Sequence, residues 1–288
     1  MIDILILGRG FLGTNIYNSL RDEQKEVILL SKTDLDYTDY ATLTKYLFEK
    51  KPAVVINASG YTGDPNIDAA EDDKETCWFY NVNVPVNIAN CCLREQIPFI
   101  HLSSGCIYNG YEKEFTEEDI PNWGIYNSES SFYSKTKHAA ELLLKDKAWL
   151  FRLRMPFNSE SSNRNYFNKL LKYDKLINQI NSVTCVDDLC TFIKNFIVKA
   201  SEEDVPYGAF NVVNEGTLSA RQVISLMKEN NIKIGKHRFI KLEELRTKAK
   251  RSNCVLSTKK IKTLGLELPN AGHSAGQALS LFGRNDNE

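Results

Sequence analysis

Tyr133 and Lys137 stand four residues apart in Phe132-Tyr133-Ser134-Lys135-Thr136-Lys137, so a helix stacks them on one face. An ammonium placed there favours the ionised form of a phenol that otherwise titrates near ~10, and such a phenol can protonate a carbonyl being reduced. Upstream, the apolar run Pro98 to Leu102 reads as a buried strand leading into Ser103-Ser104-Gly105-Cys106-Ile107-Tyr108. The Ser104 hydroxyl is expected to hold the substrate oxygen beside the phenol. If the strand persists, Cys106 turns its thiol to the same side and supplies a second acid or base. Taken singly, a solvated helix face accounts for Tyr133 and Lys137, and a small buried filler accounts for Cys106. Their surroundings favour chemistry.

Those groups need elements to carry them. Ile2 to Leu7, broken only by Asp3, meets Gly8-Arg9-Gly10-Phe11-Leu12-Gly13 and a helical stretch beginning near Thr14. Strand, glycines and helix in this order predict a dinucleotide turn, with a pyrophosphate at the helix N-terminus. Glu26 to Leu30 is a second strand. It ends in Ser31-Lys32-Thr33, where an NAD site would carry an acid. Lys32 and Arg9 suit a 2'-phosphate, so NADPH is the expected cofactor, with Asp36 among its contacts; the alternative for Lys32 is a solvated surface lysine.

Tyr40 to Lys50 is helical, and Pro52 to Asn57 is a third buried strand closed by Ala58-Ser59-Gly60, residues small enough for a cofactor to approach backbone. The polar loop Tyr61 to Asp68 then lies at the C-terminal edge of a strand, where open α/β sheets bind ligands. Thr62 and Asn66 are its candidate substrate contacts. A helix from about Asp73 to Arg94 carries Asn81 and leads to the Ser104 strand. This alternation predicts an α/β fold with a doubly wound parallel sheet.

Trp149 to Arg154 is another strand ended by Met155-Pro156, Tyr166 to Leu176 reads as helix, and Ala209 to Val213 as a late strand. Leu218 to Leu268 has helical stretches and many lysines, and is expected to form a smaller lobe over the strand ends. Residues 1–157 joined by 183–214 would form the cofactor lobe, and 158–182 with 215–288 the substrate lobe. In that lobe Arg251 is a candidate phosphate ligand or a surface charge. After Pro269 the chain is Gly- and Asn-rich and is expected to fray.

Composition removes several classes. With 288 residues, 42% of them hydrophobic, the chain can bury a sizeable core. A formal charge of -1 without a basic stripe argues against nucleic acid. No apolar run reaches a membrane span, and no basic leader precedes Asp3, so a cytoplasmic protein is expected. The seven cysteines show no metal-ligand spacing, which predicts reduced thiols and no metal.

Taken together, the glycine turn, Ser104, Tyr133 and Lys137 resemble an extended short-chain dehydrogenase/reductase of the Rossmann type. Four blocks narrow the resemblance: Ala58 to Asp68, Gly105-Cys106-Ile107-Tyr108, Phe132 to Lys137, and Arg152-Leu153-Arg154-Met155-Pro156 are similar to the epimerase/reductase of UDP-L-rhamnose synthesis. The resemblance implies a 3,5-epimerase/4-reductase acting on UDP-4-keto-6-deoxy-D-glucose with NADPH. In it Tyr133 protonates oxygen 4, Lys137 tunes Tyr133 and binds the nicotinamide ribose, Ser104 orients the keto oxygen, Asn81 completes a proton relay, and Cys106 and Lys169 form the epimerisation pair. Lys169 lies in Asn165-Tyr166-Phe167-Asn168-Lys169, whose Asn165 is counted with the substrate contacts. The family also implies a homodimer paired through the helices of Asn81 and Tyr133. The chain departs from it in two places. Gly8, Gly10 and Gly13 are one residue tighter than the family's usual turn. Gly105 and Cys106 stand where 4,6-dehydratases carry Asp-Glu, so a separate dehydratase would supply the substrate. Two alternatives are a reductase acting on an already epimerised dTDP- or UDP-linked sugar, and a cofactor-binding regulatory subunit.

Overall fold

Six strands set the frame, and the central ones are apolar runs buried on both faces, as parallel strands covered on either side require. In this computed structural model, which describes residues 3–21, 26–64 and 66–283, they are β1 (Ile4–Leu7), β2 (Val27–Leu30), β3 (Val54–Asn57), β4 (Phe99–Ser104), β6 (Trp149–Leu153) and β9 (Gly208–Asn211). Ile2, read as part of the first strand, lies outside the described residues, as do Pro65 and the last five. The other strands are short: β5 (Gly110–Phe115), β7 (Lys175–Ile177), β8 (Ile180–Asn181), β10 (Leu218–Ser219), β11 (Arg238–Ile240) and β12 (Cys254–Leu256). The helices are α1 (Phe11–Leu20), α2 (Tyr40–Lys50), α3 (Ala69–Asp72), α4 (Lys74–Trp78), α5 (Val84–Arg94), α6 (Phe132–Leu144), α7 (Tyr166–Lys172), α8 (Val186–Glu202), α9 (Ala220–Glu229), α10 (Lys259–Thr263) and α11 (Ala271–Leu281).

The main sheet runs β2-β1-β3-β4-β6-β9, every pair parallel. Strand order reverses between β1 and β3, which opens a crevice at their C-terminal ends. One apolar core packs α1 and α8 on the sheet through Ile16, Leu189, Phe192 and Phe196. The opposite core packs α2, α5 and α6 through Leu43, Leu47, Ile88 and Leu144. A third core, with Phe157, Phe167, Val223, Met227 and Ala275, packs α7, α9 and α11 together. Three two-stranded pairs, β5 with β12, β7 with β11 and β8 with β10, stitch distant segments together.

Several local expectations are corrected. The first helix starts at Phe11, not near Thr14. The helix of Tyr166 ends at Lys172, and Leu176 belongs to β7. The described residues after Pro269 form a helix: Asn270 caps α11, its Oδ1 accepting from the Gly272 and His273 backbone N–H groups, and Ala271, Ala275 and Leu279 are buried. Capping and burial outweigh two glycines with poor helix propensity. The strand of Ser104 does not persist either; Gly105–Ile107 forms a 3-10 turn.

A buried ion pair fixes α6 to the sheet. Arg152 on β6 holds Glu141 on α6 at 2.8 Å, with both side chains almost fully buried. Breaking such a pair leaves a lone charge in the core, at a cost of about 3–5 kcal/mol. Glu141→Gln is expected to lower unfolding stability by about that amount, read by urea denaturation; a loss under about 1 kcal/mol would show that the pair does not hold α6.

Candidate active site

The crevice begins at the glycine turn. Gly8 has φ +107, and a Cβ there would lie 2.6 Å from the Ser59 nitrogen; a Cβ on Gly13 would lie 2.0 Å from the Gly8 carbonyl oxygen. Both positions therefore require glycine. At Gly10 an added Cβ meets nothing within 4 Å. Gly10 caps α1 with no side-chain hydrogen bond, and α1 has no acid in its first turn. Free backbone N–H groups and the positive end of the helix dipole thus face an open cradle, which fits a pyrophosphate. Phe11 and Leu12 pack against the core beneath it.

At the tip of β2, Arg9 pairs with Asp34 at 2.8 Å, and the Lys32 ammonium donates to the Tyr80 hydroxyl at 3.2 Å. Asp36 accepts from the Thr38 hydroxyl and backbone. The small residues after β3 hold their own turn: Asn57 Oδ1 accepts from the Ser59 N–H and hydroxyl, while Ala58 packs on the core. A Cβ on Gly60 would meet Asn81 Oδ1 at 3.2 Å and Lys137 Nζ at 3.7 Å, so the cradle opens directly onto the reactive side chains.

Asn81 sits in a π-helical turn, Phe79–Asn83, between α4 and α5. Pro85 lacks the N–H that an unbroken α-helix would give to the Asn81 carbonyl, and the chain widens there. The Asn81 amide clasps Tyr61, accepting from its N–H at 2.9 Å and donating to its carbonyl at 2.8 Å. It also donates to the Thr136 hydroxyl on α6.

Ser131 caps α6 by accepting from the Ser134 N–H, and the face bearing Tyr133, Lys137 and Glu141 turns inward. Lys137 Nζ lies 5.9 Å from the centre of the Tyr133 ring. The Ser104 hydroxyl accepts from the Cys106 N–H at 3.2 Å and lies within polar contact of both the Tyr133 phenol and the Cys106 thiol. Ser104, Cys106, Tyr133 and Lys137 are therefore one cluster, with Cys106 brought in by the 3-10 turn rather than by a continuing strand.

Burial dominates their protonation. It pushes the Tyr133 phenol well above its usual range, opposed by the Ser104 hydroxyl and the charge of Arg154. Burial likewise raises the Cys106 thiol, opposed by Ser104, Ser134, Arg154 and Lys137, and lowers the Lys137 ammonium. Both acids are protonated at rest.

Across the cleft, Lys169 is half-buried and its pKa is lowered by burial, then by Arg164 and Arg251. Arg164 donates to the Thr62 hydroxyl at 2.6 Å and the Gly63 carbonyl at 2.7 Å. Arg251 pairs with Asp68 at 2.9 Å and reaches Asn66 Oδ1 at 3.5 Å. Asn165 is fully buried; it caps α7 and donates to the Asn158 and Glu160 carbonyls, so it shapes the loop ahead of Lys169. Sequence reasoning passed over Arg164, Arg154 and His101. The buried His101 Nδ1 faces Asn57 Nδ2 at 3.1 Å. Only the Arg152-Leu153-Arg154 spacing before Pro156 and the lone histidine in an apolar strand were visible beforehand, and neither is a specific signal. Among the described residues, no group of His, Cys, Asp or Glu could hold a metal, and no helix is long and apolar enough to cross a membrane.

Gly10→Ala is expected to fold with an unchanged melting temperature, because the added methyl meets no protein atom, yet to weaken NADPH binding about tenfold or more by filling the cradle. Calorimetric titration checks this; unchanged affinity would move the cofactor elsewhere.

A model of the RmlD substrate binding domain family matches residues 2–280. The trifunctional UDP-glucose 4,6-dehydratase/UDP-4-keto-6-deoxy-D-glucose 3,5-epimerase/UDP-4-keto-L-rhamnose-reductase of Arabidopsis thaliana is 30% identical over 239 residues, which cover 79% of this chain and 34% of that protein. The chain thus spans about a third of that relative's length. The crystal structure of a UDP-rhamnose synthase from Acanthamoeba polyphaga mimivirus superposes with a TM-score of 0.87 at 25% identity, covering 98% of this chain and 99% of that one. A dTDP-4-dehydrorhamnose reductase from Bacillus anthracis, solved in complex with NADP, shares the fold with a TM-score of 0.81 at 20% identity, over 96% of this chain and 99% of that one.

Proposed function

Since the chain belongs to the RmlD substrate binding domain family, we propose that it is an NADPH-dependent 3,5-epimerase/4-reductase converting UDP-4-keto-6-deoxy-D-glucose to UDP-L-rhamnose. The observation that carries this reading is the cluster in which one hydroxyl, Ser104, meets both a phenol, Tyr133, and a thiol, Cys106. A reductase needs only the phenol. The thiol adds a base suited to carbon acids beside a ketone.

In this reading Ser104 holds oxygen 4 of the sugar and polarises the ketone, which acidifies the hydrogens on carbons 3 and 5. Cys106, as thiolate, takes a proton from one of these carbons, and the C–H electron pair moves into the carbonyl to leave an enolate. Lys169 returns a proton to the opposite face; its lowered pKa makes it a stronger acid near neutrality than an ordinary lysine. Once solvent has taken the proton from Cys106 and returned one to Lys169, the same pair acts at the second carbon and completes epimerisation. Bound NADPH supplies the hydride to carbon 4. Tyr133 then gives its proton to oxygen 4, with Lys137 beside its ring stabilising the phenolate left behind, and Asn81 links this group to the cofactor-side turn.

The cradle at Gly8 to Gly13 would hold the pyrophosphate, Arg9, Lys32 and Asp36 the adenosine ribose and its phosphate, and Ala58, Ser59 and Gly60 the adjoining backbone contacts. Segments 158–182 and 215–288, with Thr62 and Asn66, would take the nucleotide sugar, Arg251 releasing Asp68 to receive its diphosphate. A separate 4,6-dehydratase would supply the substrate, because Gly105 and Cys106 offer no acid pair. All seven cysteines are free, which fits the cytoplasm. The burial of Cys106 and the rise in its pKa favour one second reading, a 4-reductase of sugars already epimerised. The complete Ser104, Tyr133 and Lys137 set speaks against a purely regulatory role.

Incubation with NADPH and UDP-4-keto-6-deoxy-D-glucose is expected to yield UDP-L-rhamnose by NMR. Cys106→Ser is expected to cut epimerisation at least about a hundredfold while sparing reduction of the epimerised sugar. Unchanged turnover of the unepimerised sugar by that variant would leave the reductase reading alone.

A homodimer is also part of this proposal. Trp78 and Phe79, on the helical run that holds Asn81, and Leu142 and Leu143 on α6 are exposed apolar side chains, although both elements also serve the core. Two copies meeting here would bury them. Sedimentation at micromolar concentration is expected to give a dimer, and Leu143→Glu a monomer; a monomeric parent protein would overturn the pairing.

A further inference from the structure

Two arginines leave β6 two residues apart, both buried, and their charges are handled differently. Arg152 is neutralised by Glu141 and also donates to the Tyr108 hydroxyl at 3.1 Å. Arg154, 6% exposed, has no carboxylate within ion-pair distance among the described residues. Its Nη1 donates to the Ser252 hydroxyl at 3.1 Å, and its Nη2 to the Ser252 carbonyl at 3.1 Å and to Asn181 Oδ1. Its Nε–H is buried without an acceptor among them. A cation taken out of water without a counter-charge costs several kcal/mol, so the site carries a standing demand for an anion.

The position of Arg154 says which anion. Its Cδ and Cγ lie 3.0 and 3.2 Å from the point a Cβ on Gly105 would occupy, so its stem rests on the turn that presents Cys106. The residue after it, Met155, has φ +41, a conformation that side chains other than glycine avoid, and Arg154 is therefore delivered at the end of a strained bend. The groups that feel its charge are Cys106, Tyr133, Tyr166, Cys254 and Tyr111, every one an acid that becomes negative only by losing a proton. We propose that Arg154 is the electrostatic positioning residue of the site, the fixed counter-charge that stabilises the Cys106 thiolate and then the phenolate of Tyr133. The order of use rests on the epimerase/reductase reading; the effect on the thiol does not.

The groups facing Cys106 are Tyr133, Ser134 and Lys137 of α6, Ser104 of β4, Arg154, and Cys254 of β12. The test is the pH profile of Cys106 alkylation by iodoacetamide in the full-length protein, followed by mass spectrometry of the Cys106 peptide. Arg154→Met is expected to displace the profile upward by about one pH unit or more, a roughly tenfold slower reaction at fixed pH below the midpoint, and Arg154→Lys by much less. Asn181→Asp provides an independent arm, because it sets a carboxylate against Nη2 while leaving Arg154 in place. The Asn253 amide nitrogen, without a partner among the described residues, can turn to donate to the new oxygen. That variant is expected to move the profile in the same direction as Arg154→Met, and decides alone should Arg154→Met not fold. A profile unmoved in Asn181→Asp overturns the proposal, as does a profile equally unmoved in a folded Arg154→Met. Deuterium uptake at carbons 3 and 5 of the sugar is scored separately: its absence from the parent protein refutes the epimerase reading, while a displaced alkylation profile still supports the role of Arg154.

Discussion

The buried pair between Arg152 and Glu141 is the constraint on which the site depends. Tyr133, Lys137 and Glu141 recur every four residues on one face of α6, so pinning the last of them to β6 fixes the rotation and height of the other two. A buried ion pair adds little net stability compared with apolar residues of equal volume, because desolvation offsets its attraction. Its contribution here is register. An apolar contact would tolerate a slight roll of α6, whereas Arg152 holds Glu141 through Nε and Nη2 together and tolerates much less. Ser103 reinforces the same anchor, donating to Glu141 Oε1 at 2.6 Å from the residue before Ser104. The strand that carries Ser104 and the helix that carries the Tyr133 phenol are thus tied to one carboxylate.

Much of this was legible in the sequence because it rests on local rules. The central strands are uninterrupted apolar runs, the dinucleotide turn follows from three glycines between a strand and a helix, and a four-residue spacing sets Tyr133 over Lys137. The three glycines show why a motif carries meaning: Gly8 and Gly13 are excluded to other residues by the turn itself, while Gly10 is open on the side a cofactor would take. What was not legible depends on partners distant in the chain. The turn at Gly105–Ile107 packs under Leu256 and Arg154, and nothing between Ser104 and Cys106 announces them. The helix α11 comes from burial of Ala271, Ala275 and Leu279 in the third core, which outweighs its glycines. β5 and β12 pair across more than a hundred residues and leave no periodic trace in either segment.

The roles of arginines were the least legible of all. Arg152 and Arg154 occupy the same short block and are equally buried, yet one is paired to a carboxylate and the other is held only by neutral groups. Period-two alternation sends both side chains to one side of a strand, so composition and spacing make them equivalent. β6 ends at Leu153, and the backbone reversal at Met155 separates them. Arg152 stays on the α6 face of the sheet. Arg154 turns toward Ser252 and Asn181, at the junction with the segments that cover the strand ends.

That separation matters for a site expected to develop negative charge at two different atoms. Burial keeps both the thiol and the phenol neutral at rest, which protects the thiol from adventitious reaction but raises the cost of using either. A carboxylate beside Arg154 would cancel its charge, which favours the anions of both Cys106 and Tyr133. A single guanidinium held by neutral donors and acceptors avoids this. Its planar fork is fixed by Asn181 and Ser252, and its field reaches sulphur and oxygen alike. The same cation can therefore serve successive anions without moving, provided each proton transfer is complete before the next begins. On the epimerase/reductase reading the order of chemistry follows from the ketone: the hydrogens on carbons 3 and 5 are acidic only while carbon 4 is a carbonyl, so epimerisation precedes reduction and Arg154 would meet the thiolate before the phenolate.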